Sequence, residues 1–213
     1  PVAVKFSSFE NYYRGEAWTW EFMALTRLRP VAGDMGLRQR IVESAREAIQ
    51  LKSADPKITE DAADMRRRMA RERPAKSRWD VKLAPGGLVD IEFVIQHGIL
   101  KAAGAAPGVV RPTSIDALKA LASADRMSPG EAARLAGGLT FQLNLQQALR
   151  IAAGDSFDPA QASAGLKSWL AGHLGLPDFA ALEANLARIQ GAVEGLRAAK
   201  LGPLSTEQTP PGV

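Results

Sequence analysis

Residues 82–93, Lys82-Leu83-Ala84-Pro85-Gly86-Gly87-Leu88-Val89-Asp90-Ile91-Glu92-Phe93, constrain this fold more than any other stretch. Pro85 and the two glycines break regular structure, and the apolar run behind them predicts a helix over residues 88–103 that other elements must cover. Glycine reaches the positive φ angles that let backbone N–H groups converge at a helix start. Such a corner can hold an anion, with Lys82 adding a charge. It can equally be a tight bend into a buried helix, with Lys82 in water. The local chemistry leaves both readings open.

The rest of the chain reads as helices punctuated by Pro and Gly. Ser7-x-x-Glu10 has the capping-box pattern and predicts one helix over residues 8–28, stopped before Pro30. Asp34 caps a second helix reaching Lys52, and a third lies between Pro56 and Pro74. Residues 75–87 are irregular, with 78–82 a candidate extended segment. A Gly- and Pro-rich loop over 104–112 leads to a helix after Thr113. Ser128-Pro129-x-Glu131 and Asp158-Pro159 each set a cap residue before a proline at the first helical position, so a helix is expected at each. In the last helix Phe179, Leu182, Leu186, Ile189, Val193 and Leu196 recur in steps of three and four, the seam of an antiparallel bundle. With no strand pattern and no internal repeat, the expectation is an all-α antiparallel helical bundle of about seven helices. Its divisions are residues 1–104, a C-terminal bundle over 105–200 and a disordered tail over 201–213.

On a helical wheel, Leu88, Val89, Ile91, Phe93, Ile95, Ile99 and Leu100 form one broad apolar arc with Glu92 and Gln96 in its middle. Asp90, His97 and Lys101 fall opposite, facing water. Asp90 then answers the helix macrodipole, or faces a ligand or metal at the turn. A buried Glu92 needs a partner. Arg27 supplies one, projecting from the arc of Phe9, Tyr12, Tyr13, Ala17, Trp20, Met23 and Ala24, and Arg14 is the alternative. Trp18 and Trp20 read as core aromatics rather than a stacking platform. Gln142, Asn144, Gln146 and Gln147 form a polar patch that either bonds between helices or is a wet face.

Charge narrows the function classes. Through Lys82 the chain carries 17 Lys and Arg against 12 Asp and Glu, and the excess is densest around Arg66, Arg67, Arg68, Arg71 and Arg73. No recognition motif or interleaved aromatics accompany that run, which argues against nucleic acid and suits an anionic nucleotide or an acidic protein surface. The absence of cysteine excludes disulfides and thiolate metal sites. His97 and His173 are too isolated from each other for a histidine metal site. No apolar run has transmembrane length and no signal peptide is visible, so a cytoplasmic location without membrane contact is the simplest fit. A chain starting at Pro1 without Met reads as a piece of a longer polypeptide.

Two segments carry a resemblance. Residues 11–34, Asn-Tyr-Tyr-Arg-Gly-Glu-Ala-Trp-Thr-Trp-Glu-Phe-Met-Ala-Leu-Thr-Arg-Leu-Arg-Pro-Val-Ala-Gly-Asp, are similar to the segment after the second nucleotidyltransferase domain of bacterial glutamine synthetase adenylyltransferase. Residues 82–93 resemble that family's Lys-x-x-x-Gly-Gly-(x)2-Asp-Ile-Glu-Phe motif, which the uridylyltransferases of the PII protein share in looser form. By motif and order the resemblance covers residues 1–150. It implies the helical part of the carboxy-terminal adenylyltransferase half of an enzyme that moves AMP from ATP to a tyrosine of glutamine synthetase. The family's Gly-Ser turn and Asp-x-Asp carboxylates are missing from this sequence, so the resemblance implies no catalytic or metal-binding residue here and no activity of the piece alone. ATP and Mg2+ are implied for the whole enzyme. The implied partners are glutamine synthetase, PII and the upstream nucleotidyltransferase domain. Nucleotide or domain-junction contacts are expected from Lys82, Gly86, Gly87, Asp90, Glu92 and Arg27. A different class, a non-enzymatic module docking glutamine synthetase or PII, would use Arg66, Arg67 and Arg71.

Overall fold

A computed structural model of the chain describes residues 3–154 and 157–204. Among the described residues it is all-α, with nine α-helices, a short 3-10 turn over Pro107–Val109 and no strand. Most helix starts follow their capping residues. Asp34 accepts from the Leu37 N–H at 2.9 Å to open α3, Met35–Lys52. Thr113 accepts from the Asp116 N–H to open α6, Ser114–Ser123. Ser128 and Glu131 exchange two bonds of 2.9 and 3.2 Å, a complete capping box before α7, Pro129–Ala152. Asp178 caps α9, Phe179–Leu201, through the Ala181 N–H. Between these lie α4, Ile58–Glu72, and α5, Leu88–Ala102.

The expected first helix is two. α1 spans Phe6–Gly15 and α2 spans Thr19–Leu25, and Ser7 does not cap α1, whose N-cap is Lys5. Glu21 makes the break: one carboxylate oxygen accepts from the Trp18 N–H at 2.8 Å and the other from the Tyr12 hydroxyl at 2.6 Å. That hydrogen bond is the main reason the Tyr12 phenol is pushed up to about 12. The Asp158-Pro159 start is also displaced. Asp158 accepts from the Ala160 N–H two residues on, a local turn that competes with helix, and α8, Ala164–His173, is capped by Ser163 instead. Residues 78–82 are consecutive turns rather than an extended segment. In the expected tail, Leu201 still belongs to α9, and residues 205–213 lie outside the described residues.

The chain divides into two compact units, each drawn from two separated stretches. One comprises Pro1–Ala62 and Glu92–Ala136. In it α1 and α2 both pack on α3, the 3-10 turn packs on α6, and Phe22, Met23, Ile49, Ile99, Leu118 and Leu121 are buried. The other comprises Ala63–Ile91 and Gly137–Val213, with α8 on α9. Its core joins Trp79 and Val81 to Leu145, Leu149, Leu170, Leu182 and Leu186. Trp79 stacks on Phe179 at 5.4 Å and meets Phe157 edge-on at 4.9 Å, so an irregular loop is pinned by its indole.

Trp18 and Trp20, expected in the core, are 71% and 47% exposed. The two-helix arrangement explains this: Trp18 lies outside the helices as the N-cap of α2, while Phe22, Met23 and Leu25 supply the buried side.

Candidate functional site

The Gly-Gly corner does hold an anion, and the anion is the chain's own Asp90. The Asp90 carboxylate is fully buried. Its Oδ2 accepts from the Gly86 N–H at 2.6 Å, and its Oδ1 accepts from Arg66 Nε at 2.6 Å. Arg197 Nε lies 3.6 Å from Oδ2, giving a buried carboxylate between two buried guanidinium groups. The next three N–H groups of the corner also have partners: Gly87 donates to the Ala84 carbonyl, Leu88 to Val81 and Val89 to Lys82. Four consecutive N–H groups of the corner, from Gly86 to Val89, are thus engaged within the chain. Burial of Arg197 lowers its pKa, against the opposing pull of Asp90.

Carbonyl groups of the same loop are held from two long helices. Gln142 of α7 donates to the Gly86 carbonyl at 3.0 Å, and Gln190 of α9 donates to that of Arg78 at 2.8 Å. Of the expected polar patch on α7, Gln142 alone is fully buried, whereas Asn144 and Gln147 are exposed. Gly86 has φ +72°, and a Cβ there would overlap the Gln190 carbonyl and come within 2.7 Å of the Gln190 Cα. A Cβ on Gly87 would meet the Val81 and Ala84 carbonyl oxygens at 2.6 and 2.7 Å. Both glycines thus serve close backbone packing. Lys82 is exposed beside them.

These contacts correct the wheel. Asp90 and His97, expected in water, are buried, and Thr59 Oγ1 lies 2.9 Å from His97 Nε2. A helix apolar on nearly every side is buried on nearly every side, so the middle of an apolar arc does not mark the deepest face. Glu92 and Gln96 occupy a partly open strip. Arg27 donates to Glu92 as expected, with Arg14 exposed, yet the pair is not buried: its side chains are 47% and 38% exposed. An exposed pair contributes about 0–1 kcal/mol. Glu92→Ala is therefore expected to shift urea unfolding of the chain by no more than that, and a larger loss would show that the pair organises its surroundings.

The basic run divides between interior and surface. Arg66 is 1% exposed, its guanidinium turned inward to Asp90. Arg67 is partly buried and donates to Asp64, Arg68 pairs with Glu72 at 2.7 Å, and Arg71 is exposed. Among the described residues no three His, Asp or Glu side chains are grouped to hold a metal ion, and no helix is long and apolar enough to cross a membrane. Sequence reasoning missed Arg197. Its signal was available: four residues after Val193 it takes the next seam position of α9, where Leu196 was expected and is only half-buried.

The geometry can be set beside known proteins. Residues 55–200 match the family model described as GlnD PII-uridylyltransferase, and residues 1–44 match that of glutamate-ammonia ligase adenylyltransferase. A bifunctional glutamine synthetase adenylyltransferase/adenylyl-removing enzyme of Rhizobium meliloti is 39% identical over 197 residues, 91% of this chain and 20% of the relative. Proteins of the same name from Mesorhizobium japonicum and Caulobacter vibrioides are 36% and 39% identical over 87% and 88% of the chain and 19% of each relative. The chain thus spans about a fifth of the length of these relatives. With the Lys82–Phe93 corner and the α2 segment inside the matched stretches, the chain belongs to the family of the GlnD PII-uridylyltransferase model and is similar, over nine-tenths of its length, to bifunctional glutamine synthetase adenylyltransferase/adenylyl-removing enzymes.

Proposed function

We propose that this chain is the helical accessory part of a longer adenylyltransferase that moves AMP from ATP onto a tyrosine of glutamine synthetase. The tyrosine oxygen would attack the α-phosphorus and pyrophosphate would leave. ATP and Mg2+ would be held by the nucleotidyltransferase domain of the longer polypeptide, since this sequence has no Asp-x-Asp pair. The observation that carries the reading is the similarity across nine-tenths of the chain to relatives of that name. The tightly packed corner supports a bracing role: the Gly86 to Val89 N–H groups are taken by Asp90 and by loop carbonyls, so Gly86, Gly87 and Asp90 act as architecture. Lys82, Arg27 and Glu92 keep solvent access and are our candidates for contact across the domain junction.

The test is transfer of labelled AMP to glutamine synthetase by the full-length polypeptide and by the 213-residue chain. Transfer by the first and none by the second is expected. Transfer by the chain alone, or none by the full-length protein, overturns the reading. Calorimetric titration of the chain with ATP and magnesium should give no heat; heat that Lys82→Ala removes would put a nucleotide site back at the corner. Exposed Arg71 favours a second reading, a docking face for glutamine synthetase or PII. Arg71→Glu in the full-length protein separates the two. Lost affinity for glutamine synthetase with unchanged ATP kinetics would support docking.

A further inference from the structure

We infer that the exposed apolar surface around α1, α2 and the start of α3 is the seat of the polypeptide that, in relatives about five times as long, lies outside the region equivalent to this chain. The inference rests on the adenylyltransferase reading above. Ten large apolar side chains are exposed among the described residues, and six of them, Val4, Trp18, Trp20, Val31, Met35 and Leu37, fall within residues 1–44. That stretch is about a fifth of the chain, so the exposure is concentrated along the sequence.

The local structure shows an incompletely covered face. α1 carries Phe6, Phe9, Tyr12 and Tyr13 and buries no residue fully. Its rings touch one another, with centroids 5.0 Å apart for Phe9 and Tyr13 and 5.5 Å for Tyr12 and Tyr13, while Tyr13 reaches Phe22 edge-on at 5.3 Å. On α2 and its exit, Trp20, Ala24 and Arg27 are exposed at spacings of four and three, one continuous helical face. Indoles left in water on such a face mark an interaction surface.

The occupant follows from two further observations. This surface coincides with the 44 residues that the glutamate-ammonia ligase adenylyltransferase model matches, whereas residues 55–200 match a different family model. Four-fifths of each relative's length lies outside the equivalent region, which supplies a covering partner in the same polypeptide. Residues 1–44 carry six Lys and Arg against five Asp and Glu, so no one-sided field selects a nucleic acid or an anionic membrane. An aromatic, near-neutral surface suits a protein domain.

Hydroxyl-radical footprinting read by mass spectrometry tests this on the full-length polypeptide and on the 213-residue chain. Trp18 and Trp20 should oxidise readily in the chain and several-fold more slowly in the full-length protein, while buried Trp79 stays slow in both. Equal rates for Trp18 and Trp20 in the two proteins overturn the proposal. So does protection that appears only when glutamine synthetase is added, or protection of the 213-residue chain that grows with its concentration. As a second arm, Trp20→Glu should leave the melting temperature of the 213-residue chain unchanged and restore Trp18 oxidation in the full-length protein; continued protection of Trp18 would count against the seat. A full-length protein that shows the protection but transfers no AMP would refute the adenylyltransferase reading and leave the interface standing. Unprotected indoles in a protein that does transfer AMP would refute the interface alone.

Discussion

Gly86→Ala is expected to unfold the Gly-Gly corner and with it the packing of the second unit. The new methyl group would occupy the place of the Gln190 backbone, on a helix core that includes Leu186 and Val193 and cannot retreat as a flexible side chain would. It would also hold alanine at φ +72°, which adds about 1–2 kcal/mol of strain. Together these should cost more than about 4 kcal/mol, in the range of severe single substitutions. Urea unfolding followed by helical circular dichroism measures it. Gly191→Ala, one residue along the same helix from Gln190 and with open space around its Cα, is the control. It should stabilise by up to about 1 kcal/mol through helix propensity alone. Equal stability of the two variants would mean that α9 does not approach the corner as closely as described.

Asp90→Asn should be the second large loss. The substitution keeps the shape of the side chain and removes its charge, leaving the Arg66 and Arg197 guanidinium groups buried without a counter-ion. Stranding buried charge in this way costs about 3–5 kcal/mol. For a chain of this size that is a fall of about 10 °C in melting temperature. Removing the charges together distinguishes an ionic cause from a packing one. Arg66→Met with Asp90→Leu and Arg197→Met should be more stable than Asp90→Asn alone, although the Gly86 N–H loses its acceptor. A triple variant less stable than the single one would show that the hydrogen bonds, rather than the unpaired charges, dominate the site.

The contrast between these residues and the Arg27–Glu92 pair illustrates what could be read from the sequence. The pairing itself was legible, because a carboxylate and an arginine each stood within an apolar pattern. Its depth was not. α5 is covered on most of its circumference, and a wheel ranks faces by composition while burial depends on which neighbours arrive. Arg66 posed the same difficulty from the other side. Nothing in Arg66-Arg67-Arg68 distinguishes the residue that turns inward from the two that pair on the surface, because the choice rests on Asp90, 24 residues away. The exposure of Trp18 and Trp20 follows from the break between α1 and α2, which Glu21 holds through Tyr12 and the Trp18 N–H and which no local proline or glycine pattern marks by itself.

By itself the sequence determined the helical class, most capping sites, the α9 seam and the Gly-Gly corner as the point of greatest constraint. These depend on interactions within a few residues: a side chain reaching the third N–H ahead, a proline without a donor, an apolar repeat of three and four. Tertiary structure alone decided which carboxylate is buried, that Arg66 and Arg197 enclose it, that Gln142 and Gln190 hold the loop carbonyls, and that the Gly86 N–H donates to Asp90. The physical reason is that the partners of a buried polar group are chosen by segments far apart in sequence, and local propensity carries no record of them.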